Sequence, residues 1–349
     1  MAKKLIYVGF PFKHHKGTHA GYYHIKDTGI YNEIIDCTHE IEFPNKCSKN
    51  KLTWFFFRVY RKIVGEGTPI TVLHCIFISL FSRNNIFHFI HSENTYKWLA
   101  KFKGKTNKIV LTVHQPASWF ENHPIWINRI KEADKIILLS TDEEEKFKQW
   151  TGKDNVDFIP HGIFTDFYKP DINIPHERMI LMVGNWLRDF ETANKVFKIL
   201  LKQDTNLHIN VVTLPVNEKY FDRNERLHFL HGISDEDLRD LYRRSSMLFL
   251  PIKEYTANNA VLEAAATGCR IVVATNHANM SYFSEDQIIV LSLDVNIIVD
   301  ELSKLLETPC DIIKQAELRD FVVNNYSWSS IGKRTKNIVL CNINYFIQK

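Results

Sequence analysis

Short apolar runs alternate with amphipathic stretches along most of the chain. Lys4 to Phe10, Ile86 to Ile90, Ile109 to Val113 and Ile136 to Leu139 read as buried strands, separated by helical or loop segments such as SENTYKWLAKF and WINRIKEA. A polar stretch from Asp166 to Glu177, with Pro170 and Pro175, interrupts the alternation. It then resumes with strands at Met179 to Val183, Leu207 to Thr213, Leu227 to Leu230, Met247 to Pro251 and Arg270 to Ala274. Two helices fall between these later strands. One is SDEDLRDLYRRS, with Ser234 or Asp235 as N-cap and acids in its first turn; the other is Asn259 to Thr267, which Gly268 stops. Strands alternating with helices form parallel, doubly wound sheets. The pattern therefore predicts an α/β protein of two such domains, 1–165 and 166–325, followed by a closing helical segment, 326–349.

The chain has 349 residues, which suits two domains of ordinary size. With 45% hydrophobic and 24% charged residues it has the composition of a soluble globular protein. A formal charge of +4, without a long basic block or a zinc, helix-turn-helix or RNA-binding signature, gives no reason to expect a nucleic-acid partner. Six cysteines lie far apart with no Cys-x-x-Cys pair, which favours reduced thiols over a disulfide framework or a metal site. MAKKLIYVGF reads as a first strand and not as a signal peptide, and no window is apolar over the ~18 residues a membrane span needs. A cytoplasmic protein is expected.

The candidate chemistry lies at strand ends, where parallel sheets bind ligands. After Pro251, the small and amide residues Thr256, Ala257, Asn258 and Asn259 lead into a helix whose first amides would face a phosphate. Strand Met179 to Val183 runs into Gly184-Asn185-Trp186-Leu187-Arg188, a glycine followed by a cation whose fork suits phosphate oxygens. His114 ends the strand Ile109 to Val113, and Gly17 and Gly21 sit in the loop HHKGTHAGYY after the first strand, a loop that also reads as a surface turn. Lys46 to Lys62 holds six basic residues, no acid and five aromatics. As a helix it has an apolar face that either lies on anionic lipid or packs into the first core.

ISDEDLRDLYRRSSMLFLP followed by TANNAVLEAAATGCRIVVATN resembles the donor-site half of retaining family 4 glycosyltransferases (glycosyl transferases group 1, GT-B fold). The resemblance implies two Rossmann-like domains with the site in the cleft between them. It further implies transfer of a sugar from a nucleotide diphosphate sugar to an acceptor hydroxyl with retention, in the manner of surface polysaccharide or glycolipid assembly. Glu263 matches the glutamate that holds the donor ribose, Arg188 the diphosphate clamp, His114 the histidine that contacts the transferred sugar, and Ile233 the backbone that meets the base. Gly17 and Gly184 match the family's two glycine loops, with Asn185 beside the second. The family's first acid falls at Tyr255, with Glu254 one place out of register. Either a bulge brings Glu254 to the sugar, or the Thr256 to Asn259 loop does that positioning. Val156 to Pro170, with Pro160-His161-Gly162, resembles the family's inter-domain crossing, and Tyr326-Ser327-Trp328 its closing motif, which starts a helix that braces the first domain. No metal or other cofactor is implied, the partners being the nucleotide sugar, a sugar or lipid-linked glycan acceptor, and an anionic membrane surface at Lys46 to Lys62, which would make the protein peripheral at the inner face of the membrane. An AAATG helix before a buried strand also occurs in many other α/β proteins. A non-catalytic sugar-nucleotide-binding protein, a nucleotide-sugar epimerase or a phosphorylase would share these features.

Overall fold

The computed structural model describes residues 3–47, 51, 52, 54, 55, 58, 59, 68–253, 256–276 and 281–341. The chain forms two compact units: residues up to Gly162 together with those from Trp328 onward, and Ile163 to Ser327. The first crossing thus precedes the polar stretch 166–177. The backbone reason is local to the first unit, where a Cβ on Gly162 would come within 2.3 Å of the Trp328 indole. Gly162 has to be glycine for that ring to seat.

The first unit holds a six-stranded sheet: β1 (Lys4–Gly9), β2 (Glu33–Asp36), β3 (Asn85–Phe89), β4 (Lys108–Val113), β5 (Lys135–Leu138) and β6 (Val156–Phe158). Its order is β2-β1-β3-β4-β5-β6, parallel throughout, with Lys4 opposite Asn85 and Val8 opposite Phe89 across the β1/β3 pair. Ile6, Val8, Phe87, Phe89, Ile109, Leu111, Ile136 and Leu138 form the buried layer, under Phe120 and Phe147 from the helices. Near-continuous burial of β3, β4 and β5 is what a parallel sheet covered on both faces requires.

The second unit has β7 (Glu177–Val183), β8 (His208–Val212), β9 (Leu227–Leu230), β10 (Ser245–Pro251), β11 (Ile271–Ala274) and β12 (Ile289–Leu291). These lie in the order β12-β11-β10-β7-β8-β9, again parallel. Counted from its own first strand, this is the Rossmann order 3-2-1-4-5-6. Asp189 and Ser234 cap the helices Phe190–Gln203 and Asp235–Arg244, their side chains accepting from Thr192 N and Asp237 N. Gly268, at φ 75°, ends the helix Asn259–Thr267 in the left-handed turn glycine tolerates.

Doubly wound sheets bind ligands where neighbouring strands send their connections in opposite directions. In the first unit that point lies between β1 and β3; in the second it lies between β7 and β10.

Candidate functional site

At the carboxyl ends of β7 and β10 the second unit assembles a set of donors. Gly184, at φ 115°, turns the chain out of β7, and a Cβ there would stand 2.5 Å from Arg188 Nη2. Arg188 Nε donates to Val183 O (2.9 Å), Nη1 to Trp186 O (3.1 Å) and Nη2 to Asn258 Oδ1 (3.2 Å). Asn258 precedes the helix Asn259–Thr267, yet its side chain makes no capping bond to that helix. Its Nδ2 is buried without a hydrogen-bond partner. A guanidinium, an unmatched amide donor and an uncapped helix N-terminus converge, an arrangement suited to an anion. Thr256 and Ala257 are half-buried beside Asn258, and Asn259 begins the helix. Glu254 and Tyr255 lie outside the described residues.

Glu263, one turn further along the helix, faces the interior. It is only 3% exposed and accepts hydrogen bonds from Tyr242 Oη (2.8 Å) and the Tyr168 hydroxyl. Burial pushes its carboxyl up to about 7, and Asp235 adds repulsion, while the two tyrosines oppose the rise. Tyr168 is held in place by Arg319, which donates to the carbonyls of Thr165, Tyr168 and Ala266. Motif reading singled out none of Tyr168, Tyr242 or Arg319, because a tyrosine in a linker and another on a helix carry no spacing signal.

Asn185 turns away from Arg188. Its Oδ1 accepts from Thr213 Oγ1 (2.8 Å) and Leu214 N (2.6 Å), fixing the loop after β8. Ile233 is half-buried, just ahead of the Ser234 cap.

The corresponding point of the first unit gathers aromatic rings. His114 stacks on His91 with ring centroids 4.7 Å apart and meets Tyr22 edge-on at 5.1 Å; Tyr22 also meets His161 (5.4 Å) and Trp328 (5.9 Å). The His114 ring bonds Ile90 O through Nε2 (2.7 Å), and Glu93 Oε1 accepts from the backbone of His114 (2.6 Å) and Gln115 (2.9 Å). His91 Nδ1 is buried with no hydrogen-bond partner. Burial lowers His91 and His114 and brings His88 and His161 to about 3, so these imidazoles are neutral at physiological pH. Gly17 is an exposed turn at φ 81° with open space around it, and Gly21, at φ 105°, packs on the His15 ring. Within Lys46 to Lys62, Lys51, Leu52, Trp54, Phe55, Arg58 and Val59 are exposed; most of the rest lies outside the described residues. Among the described residues no group of three or more His, Cys, Asp or Glu could hold a metal ion, and no helix is long and apolar enough to cross a membrane.

Residues 177–308 match the model of the family described as glycosyl transferases group 1. The second unit thus carries a glycosyl transferases group 1 domain. Matches among solved structures extend beyond it. Sucrose-phosphate synthase from Thermosynechococcus elongatus aligns over 99% of this chain and 100% of its own at a TM-score of 0.65 and 13% identity. Anabaena HepE with UDP and glucose aligns over 96% and 98% at 0.64 and 11% identity. TarM aligns over 77% of this chain at 0.61 and 10% identity, and the chain covers 58% of TarM. Identities this low establish the fold, which is that of GT-B glycosyltransferases with two parallel-sheet α/β domains. No curated protein matches the chain by sequence.

Proposed function

We propose that this protein is a retaining glycosyltransferase that moves a sugar from a nucleotide diphosphate sugar to an acceptor hydroxyl, in the assembly of a surface polysaccharide or glycolipid. The observation that carries the reading is the Arg188–Asn258 pair at the β7/β10 switch point, in front of an uncapped helix N-terminus. An anion suits the positive charge of Arg188, the unmatched Asn258 amide and the helix-start amides together, and a diphosphate is long enough to meet more than one of them. As the glycosidic bond breaks, negative charge grows on the departing diphosphate, and fixed donors stabilise that charge without reorganising. Arg188 and the helix amides supply this neutralisation in place of a metal. His114, neutral and anchored to Ile90 O, is the first unit's group for the transferred sugar. HepE and S. aureus TarM were solved with UDP, which makes uridine the first base to try, and trehalose-6-phosphate synthase, described as working with retention, supports that stereochemical course.

A thermal-shift screen against UDP-, GDP-, ADP- and dTDP-sugars, followed by assay of donor hydrolysis, tests the proposal. One donor class should raise the melting temperature and be consumed. Asn258→Ala should weaken that donor by about tenfold, more than Asn259→Ala, because the former also removes one of the acceptors that orient Arg188. A flat screen, or binding with no hydrolysis or transfer under any acceptor, would count against the enzyme.

A further inference from the structure

The helix Pro69–Phe81 is apolar on both faces, with Ile76 and Ile78 also packed against the core. It buries Pro69, Thr71, Val72, Cys75 and Ser79, and turns Ile70, Leu73, Phe77, Leu80 and Phe81 outward. At ~100° per residue these five outward positions share one face about 100° wide. Phe77 is 61% exposed and Phe81 78%, with ring centroids 4.8 Å apart. The turn Leu99–Lys101 packs beside this helix, and Asn107 Nδ2 ties the loop to it through Ser79 O and Ser82 O (both 3.2 Å). That loop exposes Trp98 and Phe102 together with Lys101 and Lys105. A contiguous apolar face of this kind marks an interaction surface.

Charge indicates what covers it. Residues 43–120 carry twelve Lys and Arg against two acids, Glu66 and Glu93, so in a chain of formal charge +4 the remainder is net acidic. At the stripe itself Glu40 accepts from the backbone of Ile70 and Thr71, and Asp134 pairs with Lys103 and Lys108, so the exposed positive charge near the helix is that of Arg83, Lys101 and Lys105. Leu52, Trp54, Phe55 and Val59, with Lys51 and Arg58, continue the same composition upstream. A helix of 13 residues is ~20 Å long, too short to span a bilayer.

We propose that the helix Pro69–Phe81 and its adjoining lysine-rich loop dock this unit on an anionic lipid bilayer, the apolar stripe entering the headgroup boundary and the cations meeting lipid phosphates. The proposal stands apart from the transfer reaction, since its test contains no donor. The full chain is co-sedimented with vesicles of phosphatidylcholine alone or mixed with phosphatidylglycerol, at low and high salt. Binding should require phosphatidylglycerol and fade at high salt. Leu73→Ser/Phe77→Ser should reduce it roughly tenfold with an unchanged circular dichroism spectrum and melt, and Lys101→Gln/Lys105→Gln should weaken it at low salt. If the double serine variant does not melt cooperatively, Phe81→Ser, at the helix end, provides the same readout. The proposal is overturned if wild type stays in the supernatant with anionic vesicles or if the serine variants sediment as well as wild type. It is equally overturned if sedimentation velocity shows a wild-type dimer that the serine variant converts to monomer, since a second copy would then cover the face.

Discussion

Glu263 illustrates how a residue matched to a motif acquires a second role once its surroundings are known. A carboxylate presented to a ribose would be open to solvent, whereas here Tyr242 and Tyr168 donate to it inside the second unit. Glu263→Ala strands two buried hydroxyls and should destabilise the protein by about 1–3 kcal/mol in chemical denaturation, whatever it does to donor binding. Glu263→Gln keeps an acceptor for the tyrosines and removes the ionisation. The folded carboxyl titrates near 7 and its ordinary value is 4.5, so the folded state holds the proton more tightly. Its contribution is therefore fully present below pH 4.5 and lost as pH rises through about 7. Stability of Glu263→Gln should lack this fall. A Gln variant with the wild-type slope across that window would place the titration elsewhere.

At the scale of elements, one glycine couples backbone to chemistry. Gly184→Ala would set a methyl against the Arg188 guanidinium and force an alanine to φ 115°. Donor affinity should fall as far as in Arg188→Ala, with a stability cost of about 1–3 kcal/mol; unchanged affinity would mean the Arg188 geometry is not what the donor uses. The buried strands and the helix Asn259–Thr267 were legible because period and burial agree there: a run such as Ile109 to Val113 has few readings besides a covered strand. The short strands β2 and β12 were not, because Glu33–Asp36 is half charged and Ile289–Leu291 is only three residues long. The helix Pro69–Phe81 is apolar nearly all round, so its sequence alone does not say which apolar positions face the core and which face outward. Of the donor loop, Gly184 and Arg188 stood out by spacing, while the join between Arg188 and Asn258, 70 residues apart, follows from the β7/β10 pairing.

For the molecule as a whole, the two units should answer acid in opposite senses. In the first, buried His88, His91, His114 and His161 titrate below their ordinary 6.5, so the unfolded chain takes up protons first and stability falls as pH drops below 6.5. In the second, Glu263 acts the other way. Hydrogen-exchange protection compared at about pH 7.5 and about pH 5.5 should weaken more in β3 and β4 than in β10 and β11; a uniform change would contradict the assignment. The central claim concerns the diphosphate, and calorimetric titration of wild type and Arg188→Ala with UDP and with uridine, in buffer containing EDTA, tests it most directly. UDP should bind wild type without metal and lose about ten- to a hundredfold in affinity with Arg188→Ala, while uridine, which has no phosphate to offer the Arg188–Asn258 donors, binds both proteins alike. Equal UDP affinity in the two proteins, or an equal loss for uridine, would show that this switch point does not hold the diphosphate.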